Sequence, residues 1–208
     1  MTPGARLAAA AEVLAEIFAR KAAADRTLVG WGKAHRFAGS KDRAAIAERV
    51  YLVLRRHNEC ADVMSNDTPR ALVLGSLAVA DELDVERIAA LCTDGQHALG
   101  VLTEAERRRL AAPSERTQDP WVVHNYPRWL HEDLVAVFGE ALAAELAALN
   151  ARAPLDLRVN TLKARPDDVL RELRASGLEP TQCIHAPAGI RLAAGGDAQV
   201  AKLPAYLE

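Results

Sequence analysis

PRALVLGSLAVADEL, residues 69–83, is apolar nearly all the way round when it is drawn as a helix. Pro69 suits the first position of a helix, where its missing N–H costs nothing. A surface helix has one polar face, whereas a helix without such a face normally lies at the centre of a bundle. The stretch therefore predicts a central helix, and its expected core side chains are Leu72, Val73, Leu74, Leu77 and Val79.

The neighbouring segments predict further helices around that centre. A first helix is expected over residues 3–23 with Thr2 as its N-cap, and a second long helix begins near Ser40 or Asp42. Shorter helices are expected near 85–92 and 103–111, whereas the glycine-rich residues 25–40 are predicted to be irregular. Within that irregular segment, Trp31 and Phe37 are expected to pack onto the core. The second long helix has a predicted buried stripe of Ile46, Val50, Val53 and Leu54.

A domain boundary is predicted at residues 112–120, which are polar and flanked by prolines. Two amphipathic helices follow, and after Pro154 the pattern changes to the alternation of a strand. A further helix is expected from Pro166 to a glycine cap at Gly177, with short strands near 181–184 and 189–192. The sequence thus predicts a mainly α protein, with an all-α domain over 1–115 and a small, incomplete α+β domain within 121–208.

The charge of the chain is unevenly distributed. Residues 1–60 contain eleven Lys or Arg against six Asp or Glu, whereas residues 61–150 contain seven against fifteen. A basic first third of this kind favours a polyanionic partner at one face. Surface helices of many proteins vary as much, so the charge alone leaves both interpretations open.

The cysteines favour neither a disulfide framework nor a zinc site. Cys60, Cys92 and Cys183 are odd in number and widely spaced, which is typical of free thiols in a reducing cytoplasm. His124 and His131 have no further ligand at metal-binding spacing. No membrane span or signal peptide is predicted, because the first apolar segment is interrupted by charged residues. We therefore expect a cytoplasmic protein without metal or membrane.

Several motifs resemble the Sun/NOP family of RNA cytosine-5 methyltransferases. LRVNTLK at 157–163 is similar to a characteristic segment of that family, and YPRWL at 126–130 is similar to its Pro-x-Trp-Leu helix start. Shorter matches follow the family's order at 138–140, 148–150 and 153–155. Further upstream, DR at 42–43 and YLVLR at 51–55 resemble the helical domain that these enzymes share with the antitermination factor NusB.

The resemblance implies the function of a larger enzyme. The family methylates C5 of a cytosine with S-adenosylmethionine and two cysteines, one after Pro and one after Thr. None of the three cysteines here has that setting, and the glycine-containing stretches 186–189 and 195–197 are interpreted as plain loops rather than a cofactor turn. We therefore expect an inactive chain that binds no S-adenosylmethionine, namely a NusB-like bundle and the start of an RNA-binding domain that positions ribosomal RNA for a missing catalytic domain.

The residues expected to contact RNA lie in two places. The first group lies on the second long helix, off its buried stripe, and the second lies on the outward face of the first strand and just beyond it. An alternative for Arg158 is an ion pair with Asp156. The predicted RNA-binding residues are Lys41, Arg43, Arg49, Arg55, Arg56, Arg158, Asn160 and Lys163.

Two other functions remain open from the sequence. The first is a free-standing NusB-like antitermination or regulatory factor, which would need only the helical domain and leaves the segment after Pro154 unexplained. The second is a protein-binding helical scaffold, which leaves the basic first third unexplained.

Overall fold

The computed structural model of the 208-residue chain describes residues 1–95, 97–112 and 116–192. The helices are α1 (Pro3–Arg20), α2 (Ala24–Ala34), α3 (Ser40–Arg55), α4 (His57–Met64), α5 (Pro69–Val79), α6 (Val85–Leu91), α7 (Glu104–Leu110), α8 (Pro120–Val123), α9 (His131–Phe138), α10 (Leu142–Asn150) and α11 (Pro166–Ala175). The strands are β1 (Leu155–Arg158), β2 (Pro180–Gln182) and β3 (Gly189–Leu192). Short 3₁₀ turns span Arg128–Leu130 and Gly139–Ala141.

The predicted fold class is confirmed, because the chain is mainly helical and carries a small antiparallel sheet whose strands all follow α10. The chain divides into two compact units, Met1–Asn150 and Ala151–Glu208. The sequence-based boundary lay earlier, at residues 112–120. The difference arises because α8 packs on α4, where the Asn58 side-chain amide donates to the carbonyl oxygens of Trp121 and Tyr126 at 2.9 and 3.0 Å.

Helix α5 is the buried centre of the first unit, as its sequence predicts. Every residue from Ala71 to Leu77 is buried, and α1, α3, α4 and α6 pack around it. The helix ends at Val79 rather than near Leu83. The reason is that the Leu83 N–H turns back to the Leu77 carbonyl at 3.0 Å, which closes the C-terminal turn.

Local capping starts α1 and α5 in the same way. In both helices a threonine hydroxyl accepts a backbone N–H of the first turn, from Ala5 to Thr2 at 3.2 Å and from Ala71 to Thr68 at 3.4 Å. A proline follows each threonine at the first helical position. The threonine cap and the proline at the first position are adjacent in the sequence. The start of each helix can therefore be predicted from the sequence alone.

The prediction for residues 25–40 is wrong in two respects. Residues 24–34 form a regular helix, α2, because its two glycines lie on faces that tolerate them: Gly30 is open to solvent and Gly32 packs against the Arg43 side chain. Trp31 is buried as expected, whereas Phe37 is 70% exposed. Phe37 lies at the tip of the tight turn between α2 and α3, beyond the reach of the core.

The second unit is a split β-α-β arrangement. The sheet has the order β1-β3-β2, and β3 pairs antiparallel with both neighbours. Helix α11 covers one face, where Leu170 and Leu173 pack with Val159 and Ile190. As predicted, a glycine follows α11, and Gly177 has a φ of 80° that disfavours other residues. The loop candidate 195–197 lies outside the described residues.

Helices α4 and α5 cross closely at Gly75. A Cβ added to Gly75 would lie 2.3 Å from the Cys60 carbonyl oxygen, so only glycine fits there without a shift of the backbone. Burial at this crossing raises the pKa of the Cys60 thiol to about 12, and the nearby Glu59 carboxylate adds to the increase. Cys60 is therefore a neutral core side chain at physiological pH.

We expect Gly75→Ala to destabilise the protein by about 1–3 kcal/mol, because the methyl group overlaps backbone atoms of α4. Chemical denaturation measures the change in the free energy of unfolding. Gly30→Ala is the matched control in a second helix, since nothing lies within 4 Å of the added methyl group. The control should stabilise the protein by roughly 0.5–1 kcal/mol. Equal effects of the two substitutions would contradict the tight crossing.

Cys60 should resist alkylation in the folded protein, because its thiol is fully buried and protonated. Labelling at about pH 8 followed by peptide mass spectrometry should modify Cys183, which is partly accessible, well before Cys60 and Cys92. The same reaction in denaturant should label all three thiols. Labelling of Cys60 at the rate of Cys183 in the native protein would show that the α4–α5 crossing opens readily.

Candidate nucleic-acid interface

Helix α3 and the residue directly after it carry five of the predicted RNA-binding residues, and the structure separates them into two groups. Lys41 and Arg43 are exposed near its N-terminus, and Arg55 is half-buried at its C-terminus. The Arg43 Nε donates to the Ala38 carbonyl at 2.8 Å, but no carboxylate among the described residues pairs with it. These three cations belong to the first group, which remains available for a polyanion.

Arg49 and Arg56 form the second group, whose guanidinium groups donate hydrogen bonds to other residues of the protein. Arg49 donates to the Ser76 hydroxyl at 3.0 Å and to the Asp81 carboxylate at 2.5 Å. Ser76 is completely buried on α5, and its own hydroxyl donates to the Val73 carbonyl at 2.7 Å. Arg49 therefore holds α3 against the central helix.

Arg56, the residue directly after α3, is engaged in the same manner. Two of its nitrogens donate to the Glu59 carboxylate at 2.7 and 2.9 Å, and a third donates to the Val79 carbonyl at 2.9 Å. The position of these arginines off the buried stripe predicts that they are exposed, which is wrong for Arg49, Arg55 and Arg56, because all three are half-buried. Arg56 and Glu59 are three residues apart, so this pair was visible in the sequence, whereas the Arg49–Asp81 pair was not.

The second unit presents Arg158 on the sheet face opposite α11. Alternation along the chain puts Leu157 and Val159 towards α11, and Arg158 is exposed at the end of β1. Its partner across the sheet is Gly189, which adds no side chain beside the guanidinium. The predicted outward presentation of Arg158 agrees with this placement.

The structure decides the alternative pairing of Asp156. Both of its carboxylate oxygens accept hydrogen bonds from Arg191, the residue opposite on β3, at 2.7 Å each. This bidentate contact lowers the pKa of Asp156 below its usual range. The Asp156–Arg158 pair is therefore absent, and Arg158 has no carboxylate partner among the residues that the structure describes.

Asn160 and Lys163 form the turn that follows β1. The Asn160 side-chain oxygen accepts the Leu162 N–H at 3.2 Å, and its backbone carbonyl accepts the Lys163 N–H at 2.9 Å. Asn160 is exposed but has a visible structural role as the residue that shapes this turn. Lys163 is exposed at the end of this turn. It lies two residues before Arg165, the N-cap of α11.

The stretch 186–189 does not form a cofactor turn of the kind that holds S-adenosylmethionine. It ends the hairpin loop between β2 and β3, the Gly189 N–H donates to the Ala186 carbonyl at 2.7 Å, and strand β3 rather than a helix begins directly at Gly189. Such a turn requires a strand followed by a helix. Within the described ranges of the chain, no cluster of three potential metal ligands occurs, and no helix is long and apolar enough to cross a membrane.

Sequence comparison relates this chain to ribosomal RNA methyltransferases. A family model described as "Methyltr_RsmF/B-like, ferredoxin-like domain" matches residues 126–199. Ribosomal RNA small subunit methyltransferase B of Pseudomonas syringae pv. tomato is 40% identical over 108 residues, and the Pseudomonas putida protein of that name is 38% identical over 110 residues. Each alignment covers 52% of this chain and 24% of the relative, so it spans about a quarter of the curated relatives' length.

The fold also has a solved counterpart. The crystal structure of a protein named PH0851 superimposes with a TM-score of 0.57 over 95% of this chain and 50% of that chain. At 16% identity, the likeness concerns the fold alone. The order β1-β3-β2 with one helix on the sheet is also the arrangement of a ferredoxin-like split β-α-β unit. About half of this chain is therefore homologous to ribosomal RNA small subunit methyltransferase B, and residues 126–199 match the ferredoxin-like domain of RsmF/B-like methyltransferases.

Proposed function

We propose that this chain is the RNA-binding, substrate-positioning region of an S-adenosylmethionine-dependent ribosomal RNA cytosine-C5 methyltransferase that acts in the cytoplasm. The observation that carries the proposal is Arg158. It is an exposed guanidinium without a carboxylate partner in the described part of the chain, and it lies within the residues that match the family. A cation in such a position is available for a phosphate or a base edge.

The chemistry of the proposed reaction explains why such a region is needed. Modification of a base requires the target nucleotide to leave its stack, which costs a few kcal/mol and needs a firm hold on the flanking backbone. Guanidinium and ammonium groups provide that hold through phosphate contacts. In the complete enzyme, S-adenosylmethionine would supply the methyl group in a domain other than those described here.

The cysteines of this chain support a positioning role rather than a catalytic one. Cytosine-C5 methylation needs a thiolate that adds to the ring, but burial raises the pKa of both Cys60 and Cys92. Cys183 precedes the hairpin loop between β2 and β3 and follows a glutamine rather than Pro or Thr. The nucleophile of the reaction is therefore expected from another part of the enzyme.

The predicted contacts divide between the two units. In the second unit, we assign phosphate contacts to Arg158 and Lys163 and the shaping of their turn to Asn160. In the first unit, we assign further phosphate contacts to Lys41, Arg43 and Arg55, whereas Arg49 and Arg56 hold α3 on α5. A NusB-like regulator would need only the first unit, and the family match to residues 126–199 favours the methyltransferase.

Arg158→Ala should weaken binding to unmodified small-subunit ribosomal RNA by roughly 1–3 kcal/mol in the 208-residue chain. The affinity of the unaltered chain should fall steeply with salt, and the variant should lose about one unit of the slope of log affinity against log salt. Fluorescence anisotropy over a salt series measures both. Arg158→Lys should restore binding only in part, because an ammonium group cannot make the paired hydrogen bonds of a guanidinium.

Arg171→Ala is the matched control, because Arg171 is an exposed arginine of the same unit but lies on α11 in an ion pair with Asp168. It should leave RNA affinity unchanged. Both substitutions should change the free energy of unfolding by about 0.5 kcal/mol or less. Loss of stability in Arg158→Ala with full RNA affinity would assign Arg158 a structural role and remove the main support for the proposal.

A further inference from the structure

The turn between α2 and α3 exposes an aromatic ring that the fold does not use. Arg36 and Phe37 are the central residues of a tight turn, which the Ala38 N–H closes on the His35 carbonyl at 3.0 Å. Phe37 is 70% exposed at the tip of this turn. Single exposed apolar side chains are common on protein surfaces, so exposure alone does not indicate a binding site. The residues around Phe37 distinguish a binding site from an ordinary exposed side chain.

A stack of aromatic rings supports Phe37 from the core side. Trp31 is buried on α2, and its indole N–H donates to the Glu12 carboxylate at 3.1 Å. The His35 ring stacks on Trp31 with 4.2 Å between centroids and 14° between planes. Phe37 then meets His35 edge-on at 5.7 Å and 84°. The exposed ring is thus anchored through two others rather than free on a loop.

The other side of the turn is fixed by polar contacts at the start of α3. Ala38 is buried, and its carbonyl accepts the Arg43 Nε at 2.8 Å. The Gly39 N–H donates to the Asp42 carboxylate at 3.3 Å, and the same carboxylate accepts the Arg6 Nε at 2.8 Å. A turn held at both ends loses little conformational entropy when a ligand binds, and this pre-organisation favours affinity.

The turn itself carries mostly positive charge, and the Glu12 carboxylate lies on the core side of the stack, 3.9 Å from the His35 ring nitrogen. Residues 33–43 contain four exposed cations and a single carboxylate, Asp42, which is engaged by Arg6. By contrast, Trp129, exposed by 77%, is followed closely by Glu132 and Asp133. An exposed ring among cations has the composition of a surface that stacks bases and holds phosphates. The four cations of the turn are Lys33, Arg36, Lys41 and Arg43.

We propose that the α2–α3 turn, residues 33–43, binds unpaired nucleotides of RNA, with one base stacked on Phe37 and the adjoining phosphates held by the four cations. The inference rests on the proposed function and deepens it by assigning single-stranded RNA to the first unit. Arg43 acts as a positioning residue as well as a cation, since it holds the Ala38 carbonyl. Base stacking is indifferent to sequence, so this site would hold a strand without selecting it.

The test uses the 208-residue chain and a single-stranded RNA of about ten nucleotides that contains 2-aminopurine, with the same RNA annealed to its complement for comparison. The fluorescence of 2-aminopurine should be quenched on binding of the single strand. Phe37→Ala should weaken that binding roughly 5- to 150-fold and abolish the quenching. Binding of the duplex, whose bases are unavailable, should be unaffected.

Two other substitutions of Phe37 separate stacking from apolar contact. Phe37→Trp should retain both affinity and quenching, whereas Phe37→Leu should behave like alanine because it offers no flat ring. Lys41→Ala should reduce the salt slope by about 0.7 and leave the quenching of the bound RNA intact. Because Phe37 is exposed, none of its variants should shift the melting temperature appreciably.

Trp129→Ala is the control for a second exposed aromatic residue of the same unit, and it should leave single-strand affinity unchanged. Equal loss in Trp129→Ala and Phe37→Ala, or full rescue by Phe37→Leu, would overturn the stacking site in favour of general apolar adhesion or a protein contact. Full affinity in Phe37→Ala would overturn the site and leave the proposed function intact. Failure of the unaltered chain to bind either RNA would overturn both proposals.

Discussion

Helix α5 has no solvent-facing side along its buried stretch, and the first unit is organised by this constraint. Seven consecutive residues, Ala71–Leu77, are removed from water, so neighbouring helices must cover every face of α5. Gly75 permits a close approach of α4, since a side chain there would overlap the Cys60 backbone. Packing at this density leaves little freedom in where α3 and α4 can lie.

The placement of α3 determines which of its cations remain available. Arg49 lies where α3 faces α5 and reaches the buried Ser76 hydroxyl and the Asp81 carboxylate, so its charge stabilises the helix contact. Lys41 lies in the first turn of α3 and stays exposed next to the α2–α3 turn. In the second unit, Arg191 donates to both carboxylate oxygens of Asp156. Asp156 is therefore not available as an ion-pair partner for Arg158. Ion pairing thus separates the arginines that stabilise the fold from those that we propose contact RNA.

Much of the fold could be predicted from local patterns, but the tertiary partners could not. The start of α5 at Pro69 and the alternation of β1 depend on neighbouring residues, and both could be predicted from the sequence. The exposure of Phe37 could not be predicted, because an aromatic residue in a glycine-rich segment is expected to pack into the core. The pairing of Arg49 with Asp81 joins residues far apart in the chain, so helical periodicity alone placed that arginine at the surface.

We propose that RNA contacts this chain at the exposed cations of α3 and the turn before it, and on the β1 face that carries Arg158. Ultraviolet crosslinking of the chain to small-subunit ribosomal RNA, followed by mass spectrometry of the crosslinked peptides, locates these contacts. We expect crosslinks concentrated in peptides covering residues 33–43 and 156–165. Crosslinks confined to the acidic middle of the chain, residues 81–106, or no crosslinks above those of an unrelated protein, would contradict it.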